Sequence, residues 1–460
     1  MLTSASPVTG FTKRCWAQRW INDAANAAGN VYLLSRAMGN FFSRAFFEKI
    51  RLIAWPAMAW ILVSFSTNAL CQTSVDVNNW PQISTEARGQ RVYFHAWGGD
   101  TALNAHLSWV AAETLSRFGI ELIHVKLADT SSAVSRLIAE HDAGNTERGS
   151  ADLIWLNGEN FSALKRANLL FGPWAEAQPN FNLVNADRFP EMRQDFGVKT
   201  DGYESPWTRS QLIFYYDSER LIEPPRTAQA LRKWLKENPG EFTYPRPPAF
   251  LGTTLLKQLL IELTTEEKTA DINTLFSNPP NDSFDTITAP LWTFLDEIHP
   301  YLLRGARHFP QTGAQLRSAL NDREISLAFA FSPNEVVSSI SRGELAPSTR
   351  SYVFESGTLS NVSFVAIPNN APSKQGAMIV SNFLLSPEVQ FKAATNAKLA
   401  SEPVLSFENF TPKQQAVLLE NARAPGAVLP NELARKIQEP HPSWTNELER
   451  EWLRRYGGGR

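Results

Sequence analysis

The chain is poor in cysteine, in histidine and in long apolar runs. Its only cysteines are Cys15 and Cys71. Both fall in the N-terminal stretch that reads as a removable leader, so the mature protein has no disulfide framework and no thiolate metal site. The seven histidines are scattered and none stands in an H-E-x-x-H spacing, so no metal is expected. There is no basic excess. The formal charge is −2, and the first 71 residues hold seven Lys/Arg against two Asp/Glu, so their removal takes it to −7. That excludes a nucleic-acid partner, because phosphate binding needs a basic face. No internal repeat and no low-complexity tract interrupts the chain.

The longest apolar segment is Leu52 to Phe65, with Lys49 and Arg51 before it and Ser66-Thr67-Asn68-Ala69-Leu70-Cys71-Gln72 after it. Its 14 residues include Pro56 and Ser64, whereas a bilayer span needs roughly 20 apolar residues. Basic flank, short apolar run and small residues are the order of a secretory signal peptide. Met38 begins a leader of ordinary length, which makes Met1 to Ala37 an over-long start. Cleavage before Gln72 places Ala69 and Cys71 at the small-residue positions. A cut before Cys71 would give a lipid-anchored protein, but Leu70 is a poor residue there, and a single membrane anchor is the third reading. The expectation is an exported protein released into the periplasm.

About 390 residues follow Cys71, more than one core usually serves, so two domains are expected. A content of 43% hydrophobic and 20% charged residues is that of an ordinary globular protein. With 14 Trp and 28 Phe there are aromatics enough both to fill the cores and to line a ligand surface.

Residues 91–96 alternate as a strand and are followed by the turn 97–100. A helix is predicted over 101–118, with Leu103, Leu107, Val110, Ala111 and Leu115 on its apolar face. Strand 120–125, helix 131–143, strand 151–156 and helix 161–167 come next. Strand, helix, strand, helix, strand predicts a parallel sheet with helices on both faces. Beyond it the pattern predicts strand 210–216, helix 231–236, strand 242–244, helix 253–263, a polar link to about 290, helix 291–298 and helix 316–320. Then come strand 325–331, a turn at 341–344, strands 351–355 and 361–368, helix 374–385, and a further helix from 387 to 394.

Four stretches carry a family resemblance. Val92-Tyr93-Phe94-His95-Ala96-Trp97-Gly98-Gly99 is a strand with an aromatic-glycine turn, and Ala151-Asp152-Leu153-Ile154-Trp155 is an acid-and-apolar strand. Leu212-Ile213-Phe214-Tyr215-Tyr216-Asp217 and Ser386-Pro387-Glu388-Val389-Gln390 complete the set. In this order, over residues 88–400, they resemble the periplasmic solute-binding components of ABC importers, the extracellular solute-binding family 1. The resemblance implies an α/β, two-lobed periplasmic-binding-protein-like fold of type II, with the ligand cleft between the lobes and closure by hinge motion. Lobe one would comprise 72–207 and 357–398, and lobe two 208–356 and 399–460. It implies a monomer that binds a small-molecule solute, docks on an ABC permease with its ATPase subunit, and needs no cofactor and no catalytic residue.

Candidate ligand residues follow from strand ends and helix starts. Gly98 and Gly99 bring backbone N–H groups close to a ligand, and Trp97 offers a face for a cation or a sugar; the alternative is a turn whose Trp packs inward. Asn157, Glu159 and Asn160 end the third strand, where clefts of open α/β sheets form, or they cap the helix that follows. Trp207 lies close to the expected hinge. Gly252 and Thr253 open the helix after a stiff proline loop, where capping alone explains Thr253 equally well. Ser332 and Asn334 end the buried strand 325–331, where Pro333 also suits a plain helix start. Tyr215 and Tyr216 alternate faces of one strand and cannot both reach one metal ion.

Two other classes remain open from sequence. A secreted carbohydrate-active hydrolase would need paired carboxylates, and neither such a pair nor a G-x-S-x-G elbow stands out. A ligand-dependent sensor that docks on a receptor is not separable from an importer component by sequence. Trp97, Trp207 and Glu159 suit a cationic or aromatic solute, and the polar set suits a sugar.

Overall fold

The computed structural model describes residues 75–458 except 269, 281 and 400. The leader expectations, with Met38, Cys15 and Cys71, lie outside the described residues. Among the described residues no helix is long and apolar enough to cross a membrane.

Two sheets organise the protein. The larger runs β11-β6-β10-β3-β1-β2, with β12 also paired to β10. Its strands are β1 (Arg91–Trp97), β2 (Glu121–Leu127), β3 (Leu153–Leu156), β6 (Glu204–Gln211), β10 (Thr358–Ala366), β11 (Glu402–Pro403) and β12 (Lys436–Gln438). The smaller sheet is antiparallel, in the order β8-β7-β9, from β7 (Ile213–Asp217), β8 (Leu327–Ala330) and β9 (Thr349–Tyr352). A short hairpin, β4 (Gln194–Asp195) with β5 (Val198–Lys199), stands apart. The larger and the smaller sheet each have their own apolar core, giving the two-lobed α/β fold.

The first β–α–β–α–β stretch forms as its pattern predicts. The Thr101–Phe118 helix starts where the Asp100 carboxylate accepts the Leu103 N–H at 2.7 Å and stops at Gly119, which adopts φ 68°. Its buried stripe is Leu103, His106, Leu107, Val110 and Thr114. Leu115, expected on that face, is exposed. The face follows i, i+4, i+7 and i+11 from Leu103, which selects Thr114, and the Thr114 hydroxyl is satisfied by the Ala111 carbonyl at 2.9 Å.

The larger sheet is parallel only in part. β2, β1 and β3 run parallel, but β10 enters antiparallel between β3 and β6. The strand expected at 210–216 is two strands, β6 and β7, joined at Leu212 where the chain leaves one sheet for the other. Pro206 hid the first half of β6. The register of β6 on β10 slips between Ser363 and Phe364, so that Trp207 is the extra, bulged residue. The strand expected at 242–244 is a single bridge from Phe242 to Leu327. The Phe284–Ile298 helix begins before the expected 291 and carries Pro290 inside it. The expected turn at 341–344 begins later, since Ser341 and Arg342 complete the Glu335–Arg342 helix and Gly343 ends it at φ 73°.

The smaller lobe's core centres on Phe214, whose ring stacks on Phe354 at 4.4 Å and 4°, and on the nearby Phe329 and Tyr352 rings. Tyr215 is buried on the opposite side of β7 from Phe214 and Tyr216, and Tyr216 meets Tyr352 edge-on. After the Pro387–Thr395 helix the chain lays β11 on β6, and Val404, Leu405 and Phe410 join a cluster with Val362 and Phe364 of the larger sheet. The segment at Val428 and then the Pro442–Tyr456 helix return to the smaller lobe, burying Val428, Trp444, Leu448 and Trp452.

Candidate functional site

The carboxyl edge of the parallel strands forms one wall. β1 ends at Trp97, which is 41% exposed and whose ring folds over Gly99. The Gly98 N–H donates to the Leu127 carbonyl at 2.9 Å, and Asn104 donates to the Gly98 carbonyl at 2.9 Å. One N–H of the following helix is already taken by Asp100. β2 leads to the exposed Asp129, which caps Ser131 at 2.8 Å. β3 leads through half-buried Asn157 to Gly158, at φ 61° and ψ −125°, a conformation open only to glycine. That twist aims the Gly158 N–H at the Asp195 carboxylate, 2.7 Å away, and sets Glu159 at the start of the next helix. The Asn160 amide lies 3.4 Å from the Glu159 carboxylate.

The Phe250–Glu267 helix supplies the opposite wall. It is buried without a break from Gly252 to Thr264, so its polar members are enclosed. The Thr253 hydroxyl donates to the Glu449 carboxylate of the C-terminal helix at 2.7 Å. Lys257, only 2% exposed, pairs with the equally enclosed Glu439 at 2.7 Å. Its ammonium also lies 4.6 Å from the centre of the Phe196 ring, which follows β4. The C-terminal helix meanwhile packs on the helix that begins at Glu159. The two walls therefore meet in one acidic group of Asp129, Glu159, Asp195, Glu439 and Glu449, with Lys257 as its ammonium.

Burial sets the protonation of this group. It raises Glu159, with Lys257 working against it and Glu439 and Asp129 adding to it. It pushes Asp195 well above the usual carboxylate range, opposed by the Gly158 N–H and reinforced by the Glu159 and Glu439 charges. Burial lifts Glu449 to about 7, against its hydrogen bond from Thr253. Glu204, on β6, is pushed well above its ordinary value by burial and by Asp195. Among the described residues no three His, Cys, Asp or Glu side chains are grouped to hold a metal ion.

The structure brings Trp97, Gly98, Gly99, Asn157, Glu159 and Asn160 to one edge, and links Thr253 to it through Glu449. Trp207 is placed otherwise. It is buried in the larger lobe's core, edge-on to Trp155 at 4.8 Å and Phe94 at 5.6 Å. Gly252 is pressed against the Pro245 carbonyl, where a side chain has no room. Ser332 and Asn334 form the turn into the Glu335–Arg342 helix, with the Ser332 carbonyl accepting the Glu335 N–H at 3.1 Å. Lys257, Asp195, Glu439 and Glu449 were missed. Only Lys257 left a signal, as part of a Lys-Gln pair inside Leu255-Leu256-Lys257-Gln258-Leu259-Leu260. The other three lie in separate segments that only the fold unites.

Comparison with known proteins places this geometry. The family described as bacterial extracellular solute-binding protein matches residues 109–404. Protein YnjB of Escherichia coli (strain K12) is 42% identical over 398 residues, which cover 86% of this chain and 98% of that protein. Among solved structures, the periplasmic binding protein AfuA from Actinobacillus pleuropneumoniae, with exogenous fructose-6-phosphate bound, superposes with a TM-score of 0.54 at 15% identity, covering 79% of this chain and 98% of AfuA. Iron-bound HitA from Pseudomonas aeruginosa gives 0.55 at 16% identity, covering 79% and 99%. A two-lobed fold with an enclosed polar group between its lobes, in a chain so matched, leads to one conclusion: the protein belongs to the bacterial extracellular solute-binding protein family.

Proposed function

We propose that this protein is the periplasmic solute-binding component of an ABC importer. It captures a small polar organic solute by hinge closure, delivers it to a membrane permease served by an ATPase subunit, and performs no chemistry on it. The observation that carries the reading is the enclosed polar group in which Lys257 and Glu449, from helices of the smaller lobe, meet Glu159 and Phe196 of the larger. Such a junction, at the carboxyl edge of parallel strands, is where open α/β sheets take ligands. Trp97, Gly98, Gly99, Asn157, Glu159, Asn160 and Thr253 are its ligand residues. The lobes divide near 207 and 357, with the tail after 398 shared between them. Export follows from the leader, and the mature chain begins at Gln72 as a monomer. The neighbours' sugar phosphate and iron belong to those proteins; the fold accepts unlike solutes, so this chain's own residues must select.

A thermal-shift screen against sugars, polyamines, aromatic cations and metal ions tests the reading, with X-ray scattering on any hit. A tight solute at a hundred times its Kd adds roughly 2.7 kcal/mol of stability, and closure reduces the radius of gyration. A flat screen, together with no association with a permease, would refute it.

A further inference from the structure

Carboxylates outnumber ammonium groups where the lobes meet, and the surplus is enclosed. Asp195 and Glu439 are each 1% exposed. Among the described residues Asp195 Oδ1 has no hydrogen-bond partner, since the Gly158 N–H goes to Oδ2. Glu439 Oε2 is ion-paired with Lys257 Nζ at 2.7 Å, and among the described residues its Oε1 has no hydrogen-bond partner. Buried acceptors of this kind are costly unless something donates to them. The walls also hold an ammonium in an instructive way: Lys257 sits between the Glu439 carboxylate and the Phe196 ring face, as a cation on a π-system does. One such nitrogen serves Asp195, Glu159, Glu439 and Glu449 together, with Asp129 at the rim.

We infer that the group formed by Glu159, Asp195, Glu439 and Glu449 beside Phe196 is the subsite for a cationic nitrogen of the solute, an organic ammonium. This rests on the binding-protein reading above and narrows its solute class. An ammonium donates to the unpartnered oxygens, offsets the surplus charge and can share the aromatic face. Burial raises Glu159, Asp195 and Glu449 towards their neutral forms; an ammonium draws them back to the charged form, whereas a phosphate or carboxylate opposes that form and a neutral sugar does nothing for it.

The test is calorimetry and thermal shift of the purified protein with putrescine, spermidine and choline at matched ionic strength. Glucose, sodium phosphate and magnesium chloride serve as comparisons. The expected result is saturable binding of at least one ammonium probe, weakened about tenfold or more by Glu159→Gln and more mildly by Asp129→Asn. Asp129 is exposed, so that variant is expected to fold even if Glu159→Gln does not. Ammonium binding that neither substitution changes would overturn the proposal, as would a response confined to glucose, phosphate or magnesium, or no response at all. Scattering separates the two readings. Closure with glucose or phosphate removes the ammonium subsite and leaves the binding-protein reading standing.

Discussion

Glu449 ties the site to pH. Burial raises its carboxyl from 4.5 to about 7, with the Glu159 and Asp129 charges adding to the rise and Thr253 and Lys257 opposing it. The folded protein therefore holds a proton that the unfolded chain releases near 4.5. Stability from this group is full below about 4.5 and is lost as pH rises towards about 7. Because the side chain is only partly enclosed, the loss is discounted to on the order of 2 kcal/mol. Glu449→Gln keeps the Thr253 contact without the titration. Its melting temperature is expected to exceed that of the unsubstituted protein at pH 8 and to match it near pH 4.5. A melting series over that range checks this, and parallel curves would show that Glu449 does not titrate there. At this scale the sequence was half legible. Glu159 stood out because it follows a strand end, a local property. Glu439 and Glu449 sit in a tail with no strand pattern near them, and their meaning comes from what they touch.

The Pro442–Tyr456 helix shows what an element contributes beyond its propensity. Trp444, Leu448 and Trp452 repeat every four residues and are fully buried. The Trp452 indole N–H donates to the Tyr244 hydroxyl at 2.9 Å, and that hydroxyl donates to His299 Nε2 at 2.7 Å. Burial lowers His299 to about 4, so its ring is neutral at pH 7 and can accept. Removing the indole should cost about 3–5 kcal/mol in Trp452→Ala through cavity and lost burial. Trp452→Phe should cost less, keeping most of the ring and losing about 1 kcal/mol with the hydrogen bond. Urea unfolding of both variants checks the order; a cost under about 1 kcal/mol for Trp452→Ala would show that the helix is not part of the smaller core. Elements with strong punctuation were readable from sequence, such as Thr101–Phe118 between Asp100 and Gly119, or Lys374–Leu384. Those with contrary signals were not. Pro290 lies inside Phe284–Ile298 and Pro206 inside β6, each tolerated because tertiary packing outweighs the local preference.

For the whole molecule the alternating strands and helices made a parallel sheet legible and the length implied two domains, while the two-lobed plan came from the family resemblance. The return of the tail to the larger sheet was not legible, since β11 and β12 are two and three residues long and carry no period. What joins the lobes is also non-local. The chain passes between sheets at Leu212 and again just before β10, and the Leu212 N–H donates to the Leu359 carbonyl at 2.8 Å. Gln258, fully buried next to Lys257, clamps this crossing. Its side-chain carbonyl accepts the Leu359 N–H at 2.9 Å, and its amide donates to the Gly357 carbonyl at 3.2 Å. The proposed hinge crossing and the acidic group thus share one helix, so hinge closure as proposed moves the ammonium of Lys257 relative to Glu159. Gln258→Ala strands a buried N–H and a buried carbonyl at a cost of about 1–3 kcal/mol. It should also loosen the crossing, so that scattering of the unloaded protein reports a larger radius of gyration and a solute closes it with lower apparent affinity. A Gln258→Ala protein with unchanged stability and an unchanged closing response would place the hinge constraint in another strand pair.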